Sequence, residues 1–427
     1  MLQRSYNDKI PQWKTWLAGW QQLDFVLLFL VVCLTAFGGL MIQSTEVRQE
    51  TVRWFWLYHW ILGAIGLLVA LFIARLRYEF LIQWHWILYG LTNLSLLAIK
   101  FFGVEINGST RWLSILGIQF QPSEFAKLGL IVTMAALLHA RPATSIPSIL
   151  RTLAITIVPW ALVFAQPDLG TSLVFGAITL GMLYWANANP GWLILMVSCL
   201  PSAILFNVHR PVWYGWLGAM GIIAWFTLPW RRIGTAIAIF ANTIAGGASG
   251  YLWNEFLKEY QKDRLILFLQ PEKDPLGGGY HLIQSRIAIG AGEMWGKGLQ
   301  NGTQTQLNFI PEQHTDFIFS AVGEELGFIG CIGLLIVFWL ICLRLIMIAQ
   351  NASENFGSLL AVGVLSMIIF QVFVNISMTI GLAPITGIPL PWMSYGRSAL
   401  LTNFLAIGLV ESVANNRPRS HFRRGDW

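Results

Sequence analysis

The sequence predicts an all-α polytopic membrane protein, a bundle of about 10–12 transmembrane helices. Three observations predict it. Only 11% of the 427 residues are charged and 56% are hydrophobic, whereas soluble chains carry about a quarter charged residues. Mean hydropathy is +0.60. Apolar runs of about 20 residues, the length that crosses a bilayer as a helix, recur from one end to the other. One water-facing shell cannot cover so much apolar surface, so a soluble domain around a single core is excluded. The 21 tryptophans suit interfacial belts.

By hydropathy the candidate spans lie near residues 25–43, 54–74, 80–99, 123–140, 149–165, 169–187, 191–207, 211–230, 233–253, 316–343, 357–378 and 399–414. Pro201 interrupts the seventh, and glycines loosen the ninth. The first apolar run follows a polar stretch of about two dozen residues, which reads as an uncleaved anchor. Cys33, Cys199, Cys331 and Cys342 all fall inside apolar runs with no metal-ligand spacing, so they are read as packing residues.

A net charge of +6 in such a chain points to cytoplasmic loops rather than nucleic acid. With the N-terminus in the cytoplasm, the inner segments carry Arg4, Lys9, Lys14, Arg75, Arg77, Arg141, Arg231, Arg232 and Arg344. The basic tail, Arg417, Arg419, Arg423 and Arg424, then also lies inside, as an even number of spans requires. Four outer segments are more than simple connectors: 100–122, 166–168, 254–315 and 379–398. The stretch 254–315 is Gly-rich and amphipathic, and belongs to a single membrane domain, 1–427. Residues 379–398 are too apolar for an open loop and too rich in Pro and Gly for a helix. Irregular backbone survives at membrane depth only when buried in protein or lining a wet cavity, so this is read as a re-entrant segment. No internal repeat is visible, which weighs against an inverted-repeat transporter.

Three constellations carry the candidate chemistry. In residues 108–127, Gln121-Pro122-Ser123 opens a helix with Ser123 as its expected cap. Glu124 and Lys127 follow on one face, where ionisable groups should pair and face the interior, as a register-fixing ion pair or as the wall of a polar cavity. Arg111 at the outer interface is either an anchor or a partner for an anionic head group. In Gln166-Pro167-Asp168-Leu169-Gly170-Thr171, Asp168 sits at a helix N-terminus, where the dipole favours negative charge. The third constellation, 263–327, is the richest. Asp274-Pro275 precedes three glycines, a turn with a carboxylate at its mouth. Gln284, Ser285 and Arg286 begin an amphipathic helix. Lys297 stands between glycines whose amides could help hold a phosphate, although Ala291 and Gly298 rule out a Walker P-loop. His314, Thr315 and Asp316 meet the next span, which contains Glu324 and Glu325. Each of these residues alone has an ordinary structural explanation. Their density on one face of the membrane points to a cleft for an amphipathic, anionic substrate.

The wording of these segments closely resembles the SEDS family (shape, elongation, division and sporulation). The markers are RWL and QPSEFAK within 111–127, QPDLGTS at 166–172, DPLGGGYHLIQSRIAIGAG at 274–292, GKGLQNGTQTQL at 296–307, PEQHTDFIFSAVGEELGFIG at 311–330 and GLAPITGIPLPWMSYG at 381–396. They cover nearly the whole chain in family order, and GYHLIQS and GTQTQL resemble the elongation branch. The resemblance implies a lipid II polymerase that joins disaccharide–pentapeptide units carried on undecaprenyl pyrophosphate. Its implied partner is a class B penicillin-binding protein transpeptidase. Its implied place is the bacterial cytoplasmic membrane, with both termini in the cytoplasm. The family's essential aspartate maps onto Asp274.

Chemically, one carboxylate acting as base on the acceptor 4-hydroxyl would suffice, with cations stabilising a pyrophosphate leaving group. A glycosidase would instead place two carboxylates around the bond. Asp274 is the expected base, and Arg111, Arg286 and Lys297 are candidate pyrophosphate partners. Glu124, Lys127, Asp168, Gln284, Ser285, His314, Asp316 and Glu324 are further candidates for the substrate site. The sequence requires no cofactor and leaves a divalent cation, Mg or Mn, open. Three departures from the family pattern stand out: Arg397 and Ala399 within SYGRSA, Glu293 within IAIGAGE, and three spans in 191–253 where one is usual. A lipid II flippase and a scaffold for another synthase are the rival readings. The flippase would need polar lining on both sides, whereas the inner loops here are short.

Overall fold

A backbone that crosses an apolar layer must satisfy its own polar groups, which dictates helices. The structure, a computed structural model, describes residues 22–46, 54–106, 109–115, 118–166, 168–251, 279–307, 309–310 and 312–417, with the single residues 255, 262, 268, 272 and 274. The first half contains α1 (Phe25–Glu46), α2 (Phe55–Arg75), α3 (Leu81–Phe102), α4 (Pro122–Ala140), α5 (Ile146–Phe164) and α6 (Leu169–Trp185). Three further helices follow, α7 (Pro190–Val208), α8 (Arg210–Thr227) and α9 (Arg231–Tyr251). The remainder comprises two short helices, α10 (Tyr280–Ala291) and α11 (Thr303–Gln306), then α12 (Ile318–Gln350), α13 (Asn355–Ile380) and α14 (Arg397–Asn415). Every segment expected to span coincides with a helix. Among the described residues, 9 helices are long and apolar enough to cross a membrane, and α6 is apolar but shorter. The chain is a multi-pass membrane protein. The two remaining helices, α3 and α8, are rich in Trp and Tyr, which lowers their hydropathy and suits an interface.

One short non-helical element joins the helical bundle. Within the outer connector 100–122 lies a 3-stranded antiparallel sheet, β1 (Gly103–Ile106), β2 (Ser109–Ile115) and β3 (Ile118–Phe120). Val, Ile, Thr, Trp and Phe favour strands here, and Asn107-Gly108 between two such runs is a hairpin signal that hydropathy overlooks. A correction concerns α4. Pro122 is its first residue, with Gln121 at the cap position, so Ser123 falls inside the first turn. The buried Ser123 hydroxyl makes no hydrogen bond among the described residues.

Irregular backbone enters the bundle at two places. Residues 381–396, between α13 and α14, bury Ile388, Leu390, Trp392 and Met393. A Cβ on Gly38 would lie 2.8 Å from Met393 Cα. Gly38 is about 12 Å down α1 from its Glu46 end, so this segment packs well inside the bundle. The Trp392 carbonyl lies 3.2 Å from His59 Nε2 on α2. The second irregularity is a break in α12 at Gly327, whose φ of 65° belongs to the left-handed region. The loop 293–298 takes up the groups freed there. Lys297 and Gly298 amides donate to Glu324 and Glu325 carbonyls at 3.0 and 2.9 Å. Phe328 and Ile329 amides donate to Glu293 and Met294 carbonyls at 2.8 and 3.2 Å.

Helices α7, α8 and α9 pack chiefly on one another and lean on the bundle mainly through α7 against α6. Their shared core is polar as well as apolar. Trp213 Nε1 donates to Ser202 Oγ at 2.9 Å, Ser202 Oγ to the Asn242 carbonyl at 2.7 Å, and Asn242 Nδ2 to Ser198 Oγ at 2.9 Å.

Basic residues gather at one end of the molecule. Arg344 clasps Asp24, with Nη2 2.6 Å from Oδ2, and the Asp24 amide donates to Glu411 Oε2 at 2.8 Å. The Ser412 hydroxyl and the Asn416 amide nitrogen both donate to the Leu76 carbonyl, between Arg75 and Arg77. Helices α2 and α14 approach closely along their length: a Cβ on Gly408 would stand 2.8 Å from Ala70 Cα. Gly408→Val should therefore lower stability by about 1–3 kcal/mol. Thermal unfolding of the detergent-purified protein checks this, and an unchanged midpoint would mean that the two backbones are not in contact.

Candidate active site

At the end opposite the basic cluster, the bundle opens into a cavity of about 320 Å³. Six stretches of the chain build it: β2 with Arg111, the starts of α4 and α6, the loop at 312–316, and the segments 387–389 and 395–399. Helix periodicity explains the first wall. Glu124 and Lys127 lie three residues apart on α4 and bond at 2.8 Å. Both are nearly inaccessible, at 3% and 1% exposed. Such a pair survives in an apolar interior only because each charge satisfies the other.

The second wall is the start of α6. Asp168 caps the helix as expected, accepting from the Thr171 amide at 3.1 Å and from its hydroxyl at 3.0 Å. Asp168 also faces Arg111, whose Nη1 lies 3.6 Å from Oδ1, while Arg111 Nε donates to the Gln166 carbonyl at 3.3 Å. Arg111 is thus built into the wall by the sheet, rather than being a free interfacial anchor. Asp316 lines the opposite side, with its carbonyl accepting from Asn375 Nδ2 at 2.9 Å.

The cavity therefore brings together Arg111, Glu124, Lys127, Asp168 and Asp316 from the sequence candidates. His314 stands just behind the lining. It stacks on Phe55 at 4.7 Å between ring centroids, and its carbonyl accepts from the Tyr395 amide at 2.9 Å. The remaining candidates lie elsewhere. Ser285 is fully buried, its hydroxyl 2.6 Å from that of Ser320 and donating to the Thr379 carbonyl at 2.7 Å. It fastens α10 to α12 and α13. Gln284 is half-buried and Arg286 exposed on the same helix, neither among the cavity-lining residues.

The expectation of a phosphate nest around Lys297 is overturned. The amides of 296, 297 and 298 already donate to the carbonyls of Gly292, Glu324 and Glu325. Lys297 Nζ lies 3.4 Å from Glu324 Oε1 and donates to Thr303 Oγ1 at 2.7 Å. Glu324 in turn accepts from the Gln304 and Thr305 amides at 2.8 and 2.9 Å, fixing the start of α11. Lys297 and Glu324 thus serve the loop's own architecture. Asp274 is exposed, and its carbonyl accepts from the Gly279 amide at 3.1 Å. Most of 252–278, and with it the first part of the expected catalytic loop at 254–315, lies outside the described residues.

Sequence reasoning did not place Gln121, Thr171, Glu312, Tyr395, Arg397 and Ser398 on a shared wall. Several sit inside segments already singled out, so the signal was there, but one-dimensional spacing does not reveal which turns face each other. Among the described residues, no group of three or more His, Cys, Asp or Glu is placed to hold a metal ion.

Fold and cavity together define a multi-pass membrane protein that encloses a charged chamber within an apolar bundle. The model of the FtsW/RodA/SpoVE family, described as cell cycle proteins, matches residues 24–217 and 213–419. The chain belongs to that family, the SEDS proteins. It is 34% identical over 400 residues to the peptidoglycan glycosyltransferase MrdB of Escherichia coli, covering 92% of this chain and 94% of that one. It is 33% identical over 426 residues to the peptidoglycan glycosyltransferase RodA of Treponema pallidum, covering 92% and 98%. A chain solved in a study of how a peptidoglycan synthase complex coordinates polymerization and crosslinking superposes with a TM-score of 0.70 at 28% identity. That match covers 94% of this chain and 100% of the other.

The buried Lys127–Glu124 pair generates a test. Glu124→Gln leaves the Lys127 charge without its partner and should destabilise the protein by about 3–5 kcal/mol. Glu124→Gln combined with Lys127→Met should recover most of that loss. Thermal unfolding of the purified variants distinguishes this from a pair without mutual dependence, in which the two losses would simply add.

Proposed function

We infer that this chain is a peptidoglycan glycosyltransferase that polymerises lipid II into glycan strands during cell-wall elongation, releasing undecaprenyl pyrophosphate. The observation that carries the reading is the charged cavity. Three cations and four carboxylates line a chamber inside a bundle that is otherwise apolar. A lipid-linked substrate needs that combination, with an apolar surround for its tail and fixed charges for its head group.

Asp274 acts as the base. It takes the proton from the acceptor sugar's 4-hydroxyl as that oxygen attacks the donor's anomeric carbon, and the lipid pyrophosphate departs. The leaving group is acidic enough to need no strong general acid. Asp274 is six residues before the start of α10 in sequence, and α10 packs on α12 and α13. Arg111 and Lys127 are two of the three cations on the cavity wall and would face a pyrophosphate held there. Mg or Mn, where the reaction uses it, would be carried by the pyrophosphate oxygens together with carboxylates of the site.

The chemistry lies on the outer face of the bacterial cytoplasmic membrane, with both termini in the cytoplasm. The gathering of Arg75, Arg77 and Arg344 at the end away from the cavity supports this orientation. The partner is a class B penicillin-binding protein transpeptidase, which crosslinks the strand this chain extends. The pairing of polymerization with crosslinking in the matched synthase complex supports that assignment.

Purified protein, alone and with its partner, is to be incubated with lipid II and the glycan lengths read on a gel. The wild-type chain should yield polymer, and Asp274→Ala should abolish it while the protein still accumulates in the membrane. Polymer from the Asp274→Ala variant would remove this residue from the mechanism.

A further inference from the structure

The cavity contains three cationic side chains in different situations. Lys127 is bonded to Glu124 at 2.8 Å and Arg111 faces Asp168 at 3.6 Å. Arg397 is the third. It opens α14 at the cavity wall. Its Nε donates to the Tyr395 hydroxyl at 3.0 Å, and its guanidinium carbon lies 6.0 Å from the centre of the Tyr58 ring. No carboxylate stands within ion-pair distance of Arg397 among the described residues. One bond and one ring contact orient the fork, and its two terminal nitrogens keep their donors for something else.

Position adds to this. Tyr58 belongs to α2 and is 49% exposed, on a helix that spans the apolar layer. Arg397 therefore stands where the cavity wall meets the flank of the bundle, between α14 and α2. An arginine fork is matched to planar or tetrahedral oxyanions, which it binds through two parallel donors. An aromatic ring behind it holds the fork without consuming those donors.

We propose that Arg397 is a specificity-determining residue of the polymerisation site, whose guanidinium, oriented by Tyr395 and Tyr58, binds an oxyanion of the lipid-linked substrate as it meets the cavity from the membrane side. This rests on the glycosyltransferase reading above. The oxyanion belongs either to the pyrophosphate or to a carboxylate of the stem peptide, and both offer the bidentate acceptor that the fork fits.

Steady-state polymerisation by purified wild-type, Arg397→Gln, Arg397→Lys and Tyr395→Phe proteins tests it. Arg397→Gln should raise the KM for lipid II about tenfold, the loss expected for one charge-assisted contact, with kcat changed less than about twofold. Arg397→Lys should fall between, because charge remains without the fork. Tyr395→Phe, which removes only the orienting hydroxyl, should raise KM about threefold and keeps the test available if Arg397→Gln does not fold. Lipid II with amidated stem-peptide carboxylates separates the two sources. A pyrophosphate contact preserves the difference between wild type and Arg397→Gln, whereas a carboxylate contact abolishes it. Binding of farnesyl pyrophosphate and of an acidic stem peptide, followed by calorimetry on wild type and Arg397→Gln, is independent of turnover. If wild type makes no polymer, the glycosyltransferase reading fails, while weaker binding of either probe by Arg397→Gln would still support the Arg397 site. Unchanged KM in folded Arg397→Gln, or unchanged binding of both probes, overturns the proposal.

Discussion

Everything in this structure depends on how charge is held inside an apolar bundle. An isolated ammonium or carboxylate there would be strongly disfavoured, and pairing is what makes it tolerable. Lys127 and Glu124, 1% and 3% exposed, meet that condition with each other. Asp168 meets it with a helix N-terminus and with Arg111. The three-stranded sheet matters for this reason. Without β2 to carry Arg111 inward, Asp168 would have only its cap contacts. The Arg111–Asp168 pair thus ties the sheet to the start of α6, while the Lys127–Glu124 pair is closed within α4, and both stand on the cavity wall.

The same accounting governs the backbone. A helix broken at Gly327 and a non-helical segment at 381–396 would be unstable in lipid if their polar groups were exposed. In the first case, the loop 293–298 meets the break and exchanges hydrogen bonds with it. That explains why the amides around Lys297 are not available to a phosphate. In the second, Leu390, Trp392 and Met393 are buried, the last two against α1 and α2, and the chain goes on to deliver Tyr395 and Arg397 to the cavity. The irregular segments are what bring side chains from distant parts of the sequence to one place.

The bundle was legible in the sequence because hydropathy is a local property, and each apolar run specifies its own helix. Asp168 was legible for the same reason: its position relative to α6 is decided within four residues. The Lys127–Glu124 pair followed from helical spacing alone. The sheet was missed because a scan for apolar runs ignores the strand propensities and the Asn107-Gly108 signal beneath it. Ser123 was assigned two positions late as a cap because Pro122 fits the first helical turn and shifts the boundary. Lys297, Glu324 and Ser285 looked like substrate contacts because charge and polarity near a membrane face attract that reading. Only three-dimensional contacts show that Glu324 holds the start of α11 and that Ser285 joins three helices. Arg397 was visible as an anomaly, and its situation became clear only when α2 was found beside it.

The account stands on a base that takes a proton on the outer side of the membrane. Impermeant maleimide labelling of spheroplasts tests this most directly, in a variant whose four cysteines are replaced by serine and a single new one is introduced. Asp274→Cys should react in intact spheroplasts, and Arg231→Cys, at the basic end, only after permeabilisation. Reaction of Asp274→Cys only after permeabilisation would place the turn on the wrong side of the membrane and contradict the account.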